Sequence, residues 1–139
     1  MRLRGYSTGR TDAAGAARLE EVARLDGLEV RPLRIAAGLH LKSSCSLAAP
    51  DLVVHDAGLD PEPFRAAGLR TLATEEPAGA NALLVGRVLL VSSAAPSTAA
   101  RLRSAGIDAR EVEAGEFHKG DGALTCLSIR LPKLGAWAT

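Results

Sequence analysis

Apolar residues at Leu19, Val22, Ala23 and Leu25 recur near the helical period. They predict an amphipathic helix over about 13–26 that turns these four side chains inward, with Asp12 as its N-cap. "LEVRPLRI" (28–35) reads as a strand with Pro32 weakening its middle. "HLKSSCSLA" and "DLVVHD" read as a short antiparallel pair. "PEPFRAAG" opens with prolines suited to a first helical turn and ends at Gly68, and "RTLAT" follows as a short strand. "NALLVG" and "RVLLVSS" are two apolar strands joined at Gly86–Arg87, a hairpin signal. "PSTAARLRSAG" is a helix punctuated by Pro96, Ser97 and Gly106. "DAREVEA" and "ALTCLSIRLP" complete the strands, and the tail "KLGAWAT" is expected to be loosely held.

The pattern repeats. "AARLEEVARLDGLEVRPLRIAAGLHLKSSCS" from Ala16 and "AARLRSAGIDAREVEAGEFHKGDGALTCLS" from Ala99 share one order of helix, turn, strand, loop and cysteine segment. A weaker copy starts at Pro63. The period is roughly 40 residues, which means stacked units that cannot bury their apolar faces alone. The expected units are roughly 1–37, 38–78 and 79–118, each β–β–α–β, with a closing strand over 123–132, all within one α/β domain. Units packed around an axis bring equivalent loops together near the centre. His40 and Cys126 occupy such loops.

Composition narrows the function. Apolar residues make up 47% and aromatics only 3%, so the core is built from Leu, Val, Ala and Ile. The net charge is +1 and the arginines are spread along the chain, which is not the basic footprint of a nucleic-acid binder. No window approaches about 18 uninterrupted apolar residues, so no transmembrane helix is expected. "MRLRGYSTGR" lacks the apolar stretch of a signal peptide. Two cysteines do not make a disulfide framework. The expectation is a cytoplasmic protein with reduced thiols.

Cys126 has two readings. Free cysteine is among the most buried residue types, and most are inert packing. A nucleophilic cysteine needs an adjacent proton carrier. His40 suits that role, and His55 and His118 compete for it. His55 ends an apolar strand beside Asp56, and His118 could be a loop residue near the site. Cys45, among serines, reads as packing. Two distant cysteines and three scattered histidines do not match the close-paired ligands of structural zinc, so no metal site is expected.

"GLHLKSSCS" and "HKGDGALTCLSIRLP" together resemble the dimethylarginine dimethylaminohydrolase family of the pentein, or guanidino-group-modifying, superfamily. That family carries a histidine in a Leu-His-Leu-Lys-Ser context and a nucleophilic cysteine in an Asp-Gly-x-x-Thr-Cys context near its C-terminus. "GYSTGRTDAAGA" resembles the family's Arg-Thr segment, and "EEPAGANALLV" another stretch with an Asn before a core strand. The resemblance spans nearly the whole chain. It implies Cys126 as nucleophile and His40 as general acid/base. It implies Arg10 as the clamp on the substrate's α-carboxylate, and Gly120 and Asp121 as the loop that approaches substrate. Lys42, beside the histidine, is expected to be structural.

The implied reaction converts an Nω-methylated arginine to citrulline and methylamine or dimethylamine through a covalent Cys-amidino adduct, with no cofactor. The implied fold is a pentein-type α/β-propeller segment of ββαβ repeats, about two and a half of the family's five units. Family members are about twice this long, and their N-terminal half carries the acidic residues that grip the guanidinium. A guanidinium without carboxylates is poorly held. Glu75, Glu76 and Asp12 have no evident claim to that task, and "EEP" reads as a solvated turn. Three explanations stay open: a truncated chain, pairing with a separate N-terminal half polypeptide, or closure as a homo-oligomer. The alternatives in function are another guanidino-modifying enzyme, an arginine deiminase or amidinotransferase, and a non-catalytic assembly module. The short interval from His40 to Cys126 and the lack of a helical insert favour the hydrolase.

Overall fold

Three small sheets organise the chain in the computed structural model, which describes residues 2–6, 12–28, 30–34 and 40–129. In the first, β1 (Arg2–Tyr6) pairs in parallel with β2 (Val30–Arg34), and α1 (Ala13–Leu25) connects them. The one-turn helix α2 (Leu41–Ser44) then leads into β3 (Cys45–Ala49). β3 is antiparallel to β4 (Leu52–Asp56). The short helix α3 (Glu62–Arg65) returns the chain to β5 (Arg70–Thr74), parallel to β4. The third sheet repeats this connectivity. β6 (Leu83–Val85) is antiparallel to β7 (Val88–Ser92), and α4 (Pro96–Ser104) leads to β8 (Asp108–Val112), parallel to β7. A last turn of helix, α5 (Gly115–His118), precedes the cysteine loop.

Local chemistry accounts for these elements. Asp12 caps α1, its carboxylate accepting the Gly15 N–H at 2.8 Å. Gly86 adopts φ 62° in the two-residue hairpin turn, a left-handed conformation that glycine reaches without steric cost. Strand β4 is buried along "LVVH" because both its faces are covered. Leu52 and Val54 join Leu89, Val91, Ala99 and Leu102 in the main core. Val53, on the other face, joins Leu33, Leu59 and Phe64 in a second cluster. The two three-stranded sheets meet where β3 lies beside β6.

Three expectations change. Helix α1 buries only Ala23; Val22 is 47% and Leu25 87% exposed, and Leu19 is exposed too. Only the Ala23 end of its apolar face is covered among the described residues, where α1 lies beside β2. The strand expected from His40 begins only at Cys45. Cys45 pairs with His55 and β4 ends at Asp56, so the preceding residues have no ladder and coil into α2. The strand expected over "ALTCLSIRLP" is a hydrogen-bonded turn at 124–127, with no partner strand among the described residues. Residues 130–132 lie outside them.

Candidate active site

His40 stands at the N-terminal boundary of α2 with extended backbone, φ −140° and ψ 144°, and is exposed. Its carbonyl accepts the Ser43 N–H at 3.0 Å, so the helical turn fixes its main chain. Cys45, at the far end of that turn, is a different kind of residue from Cys126. Its Sγ–H points to the Leu41 carbonyl at 3.6 Å, and burial pushes its thiol up to about 12. It is packing, as its surroundings in sequence suggest.

Cys126 is exposed on a turn closed by its own N–H, and that of Leu127, to the Ala123 carbonyl at 3.1 and 3.0 Å. Its Sγ lies 3.0 Å from the Ala123 nitrogen and 3.1 Å from the Ala123 oxygen. A thiol can donate to that carbonyl, and a thiolate can accept from that N–H. The loop is anchored from behind by His118. A carbonyl only accepts, so His118 Nδ1–H donates to Gly122 at 2.8 Å. With Nε2 unprotonated, the Ser92 hydroxyl at the end of β7 donates to it, also at 2.8 Å. His118 therefore supports the loop from inside.

Asn81 joins the cysteine loop to the segment after His40. It is 5% exposed and uses its whole amide. Nδ2 donates to the Lys42 carbonyl at 2.7 Å and to Thr125 Oγ1 at 2.9 Å, and Oδ1 accepts the Thr125 N–H at 3.1 Å. Lys42 is two residues from His40, and Thr125 immediately precedes Cys126.

Gly120 and Asp121 form the turn between α5 and the cysteine loop. Their N–H groups donate to Phe117 at 3.0 Å and His118 at 3.1 Å, and Asp121 sits at φ 58°, which aspartate tolerates. Both are exposed. Arg10 lies outside the described residues. His55 is a core residue, buried, with Nδ1–H donating to the Asp56 carbonyl at 2.7 Å and its ring stacked on Phe64. Glu76 is more than a solvated turn residue: its carboxylate accepts the N–H groups of Ser97 and Thr98 at the start of α4. Asp12 and Glu76 thus both serve helix ends. Among the described residues, no three His, Cys, Asp or Glu side chains cluster as a metal site would need, and no helix is long and apolar enough to cross a membrane.

No family model matches the chain. Over 127 residues it is 35% identical to the N(G),N(G)-dimethylarginine dimethylaminohydrolase of Streptomyces coelicolor, covering 91% of this chain and 48% of that protein. Among solved structures, it superimposes on the dimethylarginine dimethylaminohydrolase of Pseudomonas aeruginosa in complex with citrulline. The TM-score is 0.78 at 25% identity, over 93% of this chain and 51% of that one. An amidinotransferase of saxitoxin biosynthesis from Microseira wollei shares the fold, with a TM-score of 0.82 at 14% identity over 96% of this chain and 45% of that one. The chain spans about half the length of the curated relatives it matches.

Proposed function

From a chain that belongs to the dimethylarginine dimethylaminohydrolase family, we propose that it supplies the nucleophile and the acid/base of a guanidino-group hydrolase acting on Nω-methylated arginine. The carrying observation is the exposed Cys126, on a turn tied through Asn81 to the segment that follows His40. The Cys126 thiolate adds to the guanidinium carbon. His40 gives its proton to the departing dimethylamine as the C–N bond breaks, leaving an S-alkylthiouronium on the sulfur. Water, deprotonated by His40, attacks the same carbon. The C–S bond breaks, citrulline leaves and the thiolate returns. No cofactor enters this cycle. Binding a cation beside the sulfur favours its anionic form, so substrate helps ionise its own attacker.

In this reading Arg10 clamps the α-carboxylate, and Gly120 and Asp121 line the approach. Asp12 and Glu76 are committed to capping, and in this reading the guanidinium grip comes from an N-terminal half polypeptide or from a second copy. The reaction needs no membrane and no nucleic acid, and is placed in the cytoplasm.

The test is citrulline release from asymmetric dimethylarginine by the purified chain, alone and with the N-terminal half of the Streptomyces coelicolor relative added. Cys126→Ser is expected to abolish release and Cys45→Ser to spare it. Equal loss from both overturns the assignment of roles. No citrulline from the folded chain under either condition overturns the enzymatic reading.

A further inference from the structure

We propose that Asn81 is the positioning residue that holds Cys126 in register with His40; this rests on the catalytic reading of those two residues. Its amide meets three partners with well-formed bonds, and all three lie on the two segments that carry the reacting groups. On one side it grips the Lys42 carbonyl in α2, a turn already locked to His40 by the Ser43 N–H. On the other it both donates to and accepts from Thr125, whose neighbour is the cysteine.

The bridge itself is held firmly. The next residue, Ala82, donates its N–H to Ser46 Oγ in β3 at 3.1 Å, and Ala80 and Ala82 are buried on either side. Asn81 is therefore anchored to the strand that follows His40, while reaching 44 residues ahead to the cysteine loop. Among the described residues the cysteine turn has no strand partner of its own. The His118 anchor ties the cysteine loop to β7, and Asn81 is the side chain bonded to both the cysteine loop and α2. Asparagine is suited to the task because one planar group offers two donors and an acceptor.

A double-mutant cycle tests this on the intact chain. The readout is the rate at which iodoacetamide alkylates Cys126 at neutral pH, followed by mass spectrometry. His40→Ala is expected to change that rate by at least about threefold in the native background. In the Asn81→Ala background the same substitution is expected to have almost no effect. A merely structural Asn81 would lower stability and leave the His40 effect intact. An unchanged His40 effect in folded Asn81→Ala overturns the proposal and leaves the Cys126–His40 pairing standing. No His40 effect in the native background overturns the pairing, and the proposal with it. If Asn81→Ala does not fold, Thr125→Val removes one of the three bonds at nearly constant shape and is expected to weaken the His40 effect. An undiminished effect there overturns the proposal equally.

Discussion

The Ser92 hydroxyl and His118 Nε2 meet at 2.8 Å across 26 residues of sequence. Ser92 is fully buried, and its oxygen also accepts the Ala94 N–H at 3.2 Å. His118→Phe keeps the ring volume and leaves the serine proton without an acceptor. The expected cost is about 1–3 kcal/mol, read as a lower urea midpoint. Ser92→Ala is expected to cost less, because half-buried His118 can turn its nitrogen to water. The reverse order would show that the contact does not hold the loop.

The two thiols are expected to separate by reactivity. At pH 8 iodoacetamide should modify Cys126 and spare Cys45, whose thiol burial pushes from 9.0 up to about 12. The same shift makes a stability prediction. The folded state holds the Cys45 proton more tightly than the unfolded chain. Its contribution is therefore complete below pH 9.0 and lost as pH rises towards about 12. Subtracting the urea stability of Cys45→Ala from that of the native chain across this range should leave a difference that falls with pH. A flat difference would contradict the burial.

Glu76 closes a ring of hydrogen bonds at the start of α4. Its N–H donates to Thr74 Oγ1, that hydroxyl bonds to Thr98 Oγ1, and Thr98 Oγ1 donates to the Glu76 carboxylate. Burial pushes the carboxyl up, but the hydroxyl and N–H of Thr98, the Ser97 N–H and the Arg101 charge outweigh it and hold it below its ordinary value. Ala95, at the N-cap position, has no capping side chain, so Glu76→Ala is expected to cost about 1 kcal/mol at pH 7. The folded pKa is lowered, so this stability is present above about pH 4.5 and fades as pH falls. Urea melts at pH 7 and pH 3.5 should show the native chain and the variant converging in acid.

Gly79 backs onto the same ring. A Cβ there would sit 2.5 Å from Thr98 Oγ1 and 2.8 Å from Thr74 Oγ1. Both hydroxyls are committed to the ring, so Gly79→Ala is expected to destabilise by about 1–3 kcal/mol through overpacking. Gly86→Ala, in open space but at positive φ, should cost about 1 kcal/mol. Chemical denaturation of the two variants checks the ranking.

The regular elements were legible where pattern and punctuation agree. "RTLAT" is β5 residue for residue, and Pro96 and Gly106 bracket α4. Elements that depend on a neighbour were not. "ALTCLSIRLP" has a strand's composition, but a strand exists only with a partner, and the described part of this segment is a turn. β1, "RLRGY", has too few apolar positions to stand out, and its place comes from pairing with β2. The cysteine and histidine of the candidate site are singled out by their chemistry and by family resemblance. Their supports are not. Asn81, marked in the sequence only as an Asn before a core strand, and Ser92 act on groups 26 to 44 positions away, and no local periodicity encodes such distances.

The Asn81 amide grips position 42 by its main-chain oxygen, and the sulfur of Cys126 is faced by the main-chain N–H and carbonyl of Ala123. Every residue type supplies a carbonyl, and every type but proline supplies an N–H. The lysine and the alanine themselves are therefore replaceable without altering these contacts. Side-chain identity at positions 42 and 123 is thereby uncoupled from the main-chain frame that holds the cysteine turn.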